Sequence, residues 1–183
     1  YSVSKFEYFV SNIGLTKQDE SVFSTTDVYH VKASDPSTET FLIDSIPPGD
    51  YSGLFLNIGL NPDQNKTGYL PNTTENLNMA WPEPMGGGYH FLKFEGHFQD
   101  DSSTDLIGFA MHLGNNESLV ALHIEHPFII EHSVYDIDLE MNLNEWFRTP
   151  NLYSLSSDNN YIMGDTTLMS LIAENGKDVF SIQ

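Results

Sequence analysis

Residues 81–96 read Trp-Pro-Glu-Pro-Met-Gly-Gly-Gly-Tyr-His-Phe-Leu-Lys-Phe-Glu-Gly, and no other stretch restricts the fold as tightly. Pro82 and Pro84 fix φ and remove two backbone donors, while Gly86, Gly87 and Gly88 open conformations closed to other residues, so no helix passes through. From Tyr89 the side chains alternate, with Tyr89, Phe91, Lys93 and Glu95 on one face and His90, Leu92 and Phe94 on the other. That is the period of a strand, here entered from a sharply shaped loop. The junction gathers Met79, Trp81, Met85 and His90.

The rest of the chain predicts further strands. Residues 6–15 are apolar enough for a strand buried on both faces, interrupted at Asn12 and Gly14. Residues 16–26 read as a polar surface loop, 28–32 as a short strand, and 41–46 as another, stopped by Pro47-Pro48-Gly49. Residues 51–60 put Leu54, Leu56, Ile58 and Leu60 on one face, and 61–80 form a long irregular segment of a kind that is often functional. Residues 100–105 predict a hairpin turn, 106–113 the returning strand, 114–117 a second turn, and 118–125 a strand broken by Pro127. Residues 134–143 alternate as a half-buried strand, with Tyr135, Ile137, Leu139, Met141 and Leu143 inward.

Two helices are expected near the C-terminus. Asn144 caps a brief one through Trp146 and Phe147; Asp165 caps the better one, which puts Leu168, Leu171 and Ile172 on one face and ends with Gly176 at C′. Residues 179–182 close the chain as an edge strand. Short strands between turn signals predict an all-β fold, an antiparallel β-sandwich with one or two short helices, as a single domain over residues 1–183.

Seven Lys and Arg against 26 Asp and Glu give a net charge of −19, which repels nucleic-acid phosphates and anionic lipid headgroups. With no cysteine, any metal must be held by nitrogen, carboxylate, carbonyl or thioether ligands. No run approaches the roughly 20 apolar residues of a transmembrane helix.

His90 and His112 are the candidate metal pair. If the strands flanking residues 100–105 pair, His90 comes near the strand on which Ala110 and His112 share a face, and two imidazoles on adjacent strands suit copper. A one-residue slip would turn His112 away. The alternative is that each histidine packs within the sheet and hydrogen-bonds a neighbour. Met79 and Met85 offer thioether sulfur, with gap filling as the plainer reading, and the residues alone read Trp81 as a core anchor of the loop. His123, His126 and His132 match no tight zinc spacing; His123 is the best spare ligand among them. Asp100, Asp101 and Asp105 lack a calcium loop's closing glutamate. No nucleophile elbow, phosphate loop or dinucleotide fingerprint occurs, and an enzyme is not expected.

The 81–96 run resembles the signature of the methanobactin-associated copper-binding protein family, the MbnP-like domains, in the form found in Bacteroidetes envelope proteins. Tyr8-Phe9-Val10-Ser11-Asn12-Ile13-Gly14-Leu15, Ile46-Pro47-Pro48-Gly49-Asp50-Tyr51, Asn57-Ile58-Gly59-Leu60-Asn61, Met111-His112-Leu113-Gly114 and Asn175-Gly176-Lys177-Asp178-Val179-Phe180 fit it in order. The resemblance implies a two-sheet fold and copper sequestration or delivery in the periplasm or from an outer-membrane lipoprotein, with a leader and part of a first strand preceding Tyr1. It also implies a dihaem peroxidase-like partner that oxidises a tryptophan, here Trp81, to kynurenine, which joins histidines around Cu(I). The chain departs from the methanotroph form in carrying Pro82-Glu83-Pro84 where a second tryptophan stands, which puts that modification in question. The competing expectation is a non-catalytic module that binds a glycan or protein through residues 61–80.

Overall fold

The structure, a computed structural model, describes residues 1–99, 104–131 and 134–183. Its organising element is β1 (Ser2–Lys17), whose centre is buried on both faces, as its apolar run requires. β2 (Val22–Ser24), β3 (Val28–Lys32), β4 (Gly49–Ile58), β5 (His90–Gln99), β6 (Leu106–Gly114) and β7 (Val120–Ile130) complete an antiparallel sheet with the path β6-β5-β1-β4-β7. Glu7 pairs with both Lys93 and Lys32, and Val10 with both Ile58 and Tyr29. A residue has only two edges, so β3 holds one edge of β1 while β5 and β4 occupy successive stretches of the other.

Within the stretch that pairs with β4 the register shifts from Ser11 to Gly14, and Asn12 takes φ 50°. A bulge of this kind bends a strand and redirects the residues beyond it. β1 therefore carries two wings, β5–β6 and β4–β7, which make the layers of an all-β sandwich. The wings meet where Phe91 lies against Gly59, at which an added Cβ would sit 2.5 Å from the phenyl ring. Phe9, Leu56, Ile58, Phe91, Phe94, Met111 and Leu113 belong to one continuous core. The helical elements are α1 (Thr74–Asn78) and α2 (Thr166–Asn175), and a small second sheet pairs β8 (Leu139–Met141) with β9 (Phe180–Ile182). No helix among the described residues is long and apolar enough to cross a membrane.

Several local expectations change. The polar stretch 16–26 is a hairpin: Glu20 turns at φ 68° and β2 pairs back onto residues 14–16 of β1. Residues 41–46 form no strand. Phe41 stacks on Tyr29 at 4.2 Å and Tyr29 donates to the Leu42 carbonyl at 3.1 Å, so Phe41, Ile43 and Ile46 pack on the core without a backbone ladder while Leu42 stays exposed. Pro127 does not break β7, because the strand lies at the sheet edge and its register shifts between Glu125 and Phe128, where a missing donor costs no ladder bond.

Of residues 134–143, Ile137, Leu139, Met141 and Leu143 do turn inward, but Tyr135 is exposed and only 139–141 form a strand, since β9 is all the partner they have. The 3-10 turn over Leu143–Phe147 is capped by Asn142 rather than Asn144, through a side-chain bond to the Asn144 N–H at 3.1 Å. Asp165 caps α2 as expected. Gly176 follows at φ −57°, not in the left-handed region; a Cβ there would meet the Trp146 ring at 2.6 Å, so close approach explains the glycine. The turn at 100–105 and His132 fall wholly or partly outside the described residues.

Candidate metal centre

The 81–89 corner is held by hydrogen bonds from the preceding segment. Asn65 accepts from the Tyr89 N–H at 2.9 Å, and Thr67 accepts from the Gly88 N–H at 2.9 Å while its own hydroxyl donates to Glu83 at 2.6 Å. Tyr89 in turn accepts from the Leu70 N–H at 2.9 Å. Asn65, Thr67 and the Leu70 N–H of the 61–80 segment thus brace the corner, while most other polar residues of the segment stay exposed. Gly86, Gly87 and Gly88 all take positive φ, the conformations that made glycine necessary.

Within this corner Trp81 is 3% exposed, its indole N–H donating to the Met85 carbonyl at 3.1 Å and its backbone N–H to the Gly88 carbonyl at 2.9 Å. Its ring covers Gly114, where a Cβ would lie 2.2 Å from Cε3. The Trp81 and His90 ring centroids are 4.7 Å apart with planes at 67°.

His90 and His112 come together by a route that alternation alone does not predict. A flat strand would put His90 on the face of Leu92 and Phe94. Instead His90 pairs with Gly114 and Leu92 with Leu113, so Phe91 is an extra residue in the ladder. This bulge gives His90 the parity of Gly114, and therefore of His112 two positions before it. The imidazole centroids lie 5.2 Å apart with planes at 85°. Two metal–nitrogen bonds of about 2.0 Å each, with the ring radii added, span more than that, so the ring spacing is short enough for a shared ion.

Each ring has a partner that defines what its other nitrogen can do. His90 Nδ1 is 3.2 Å from the Met79 carbonyl oxygen, which can only accept, so the ring hydrogen sits on Nδ1 and the Nε2 lone pair remains. His112 Nε2 is 2.9 Å from Glu95 Oε1, and Nδ1 of the same ring is buried with no hydrogen-bond partner. Burial pushes His90 down to about 3, helped by the charges of Lys93 and His112 against the opposing Met79 and Ala80 carbonyls. Burial also lowers His112, while Glu95 works the other way. Both imidazoles are consequently neutral near pH 7, the state in which histidine binds metal.

The remaining candidates are placed differently. His123 is exposed on β7, at the opposite end of the sheet path from β6, and does not join the pair. Met85 gives its carbonyl to Trp81, and its Cε lies 3.1 Å from where a Cβ on Gly164 would be. Tyr161, whose ring is 6.5 Å from His112, was not singled out from sequence, and neither were the roles of the Glu95 carboxylate and the Met79 carbonyl beside the two rings. Glu95 is diagonal to His112 across the β5–β6 ladder, and only a known register reveals that.

Among the described residues no group of three or more His, Cys, Asp or Glu is placed to hold a metal. The donor set is two neutral imidazoles without a carboxylate, which disfavours calcium and magnesium and falls short of a structural zinc site. A buried unpartnered imidazole nitrogen costs about 1–3 kcal/mol, and an ion satisfied by few nitrogen donors, such as Cu(I), fits it.

Fold and site together define a β-sandwich that presents a histidine pair, His90 buried and His112 half-buried, beside a tryptophan corner. The MbnP family model matches residues 1–166, and the chain belongs to that family. The match contains the imidazole pair, Trp81 and the β1 wings, and leaves out residues 167–183. No curated protein and no solved structure matches the chain.

Proposed function

We propose that the protein is a copper-binding protein of the cell envelope, acting in sequestration or delivery rather than catalysis, with His90 and His112 as ligands to Cu(I). The observation that carries this reading is the unpartnered His112 Nδ1, buried beside a second neutral imidazole in a family with a copper-related role. Copper, when bound, would supply a soft cation that accepts both nitrogen lone pairs. The protein's part is to keep both rings neutral, hold their N–H groups on Met79 and Glu95, and enclose the pair with Trp81.

Trp81 is the residue that the family's tryptophan oxidation would reach, through a dihaem peroxidase-like partner, and a kynurenine formed there would stand next to His90. Intact mass of protein from its native host tests this: a mass matching the unmodified sequence removes kynurenine from the account. The envelope location, as a periplasmic protein or outer-membrane lipoprotein, is read from the family. Cu(I) titration against a competing chelator tests the binding claim. Wild type is expected to take up one equivalent, and His90→Ala and His112→Ala each to lose it; equal uptake by all three would refute the claim.

A further inference from the structure

We propose that Glu95 is the positioning residue that sets the tautomer of His112, so that the site offers a mixed pair of donors, Nδ1 from His112 and Nε2 from His90. The inference rests on the copper reading and deepens it. Glu95 lies on β5 opposite Ala110, and His112 is two residues further along β6, which places the carboxylate diagonally across from the ring. Its Oε1 is 2.9 Å from His112 Nε2. A carboxylate only accepts, so this contact keeps a hydrogen on Nε2 and leaves Nδ1, buried and unpartnered, as a lone pair.

The Met79 carbonyl does the complementary work on His90, contacting Nδ1 at 3.2 Å and freeing Nε2. Two acceptors of different kinds thus select opposite nitrogens on the two rings. Ligating histidines commonly have their second ring N–H held in this way, and loss of the acceptor typically weakens metal binding 10–100-fold.

Lys5 bears on the same oxygen. Its Nζ is 3.7 Å from Glu95 Oε1, and the two residues are paired across β1 and β5. The lysine side chain is 41% exposed and the glutamate 30%, so this ion pair is partly solvated and leaves the carboxylate free to hold the buried ring. The carboxylate would also set a negative charge one ring away from a bound cation, beside two ligands that carry none.

Nitrogen-edge NMR of the metal-free protein, which distinguishes protonated from unprotonated ring nitrogens, tests the assignment without any metal. In wild type His112 should carry its hydrogen on Nε2 and His90 on Nδ1. Glu95→Ala should give His112 a mixed or reversed tautomer and lower Cu(I) affinity 10–100-fold, with circular dichroism unchanged. Glu95→Gln, whose amide oxygen still accepts, should keep the wild-type tautomer and lose less affinity. A hydrogen on Nδ1 of wild-type His112, or a Glu95→Ala variant with unchanged tautomer and affinity, would overturn the inference. Wild type with the expected tautomers but no Cu(I) uptake would instead count against the copper reading alone.

Discussion

His90 faces His112 edge-on at 5.2 Å because Phe91 is an extra residue in the ladder between them. Strict alternation along β5 would have sent the two rings to opposite faces of the sheet. The bulge is therefore the feature that brings two strand histidines side by side, and the glycine-rich corner before it holds Trp81 against His90.

Gly114→Ala is expected to destabilise the protein by about 1–3 kcal/mol, since the new methyl group would lie 2.2 Å from Trp81 Cε3 with the corner packed behind it. Urea denaturation followed by circular dichroism measures the loss. Cu(I) uptake should weaken as well, because displacing Trp81 disturbs its edge contact with His90. A variant as stable as wild type would mean that the indole moves aside freely.

Trp81→Ala removes a side chain only 3% exposed and should cost about 3–5 kcal/mol, the usual range for a large aromatic taken from a core. Trp81→Phe should recover much of that stability while losing the indole bond to the Met85 carbonyl. Thermal unfolding of the three proteins makes the comparison.

The metal-free protein should lose stability in acid. His90 in the fold is held down to about 3, below the roughly 6.5 of an unfolded histidine, so between these values the unfolded chain binds more protons. Its contribution is complete above about pH 6.5 and fades as pH falls toward 3, with a slope approaching about 1.4 kcal/mol per pH unit. His112 adds in the same direction. Denaturant midpoints at a series of pH values should show the slope in wild type and a flatter one in His90→Asn.

Asn175→Ala should destabilise the fold by a few kcal/mol and leave copper uptake intact. Its buried amide donates to the Trp146 and Asn151 carbonyls at 3.0 and 2.7 Å and accepts from the Asn151 N–H at 2.9 Å, bonds that truncation would leave unmade. Denaturation together with Cu(I) titration separates the two effects.

The strands were legible where side-chain pattern and backbone pairing agree, as in β1, β4 and β6. Residues 41–46 and 134–138 carry a strand's apolar pattern, yet pattern records which side faces the core and not whether another strand is there to pair. Pro127 was misread for the same reason, because an edge position is a property of the assembled sheet. At the site, composition and spacing suggested His90 and His112. The means by which they meet, a bulge at Phe91 and a diagonal carboxylate at Glu95, depend on register, which one strand's sequence does not contain.

The central claim is that these two imidazoles make one site, and histidine side-chain NMR during Cu(I) addition tests it most directly. The account predicts that the ring resonances of His90 and His112 shift together and saturate at one equivalent, before the exposed His123 and His126 respond. If only one of the pair moves, or the surface rings respond first, the two histidines are not a shared copper site.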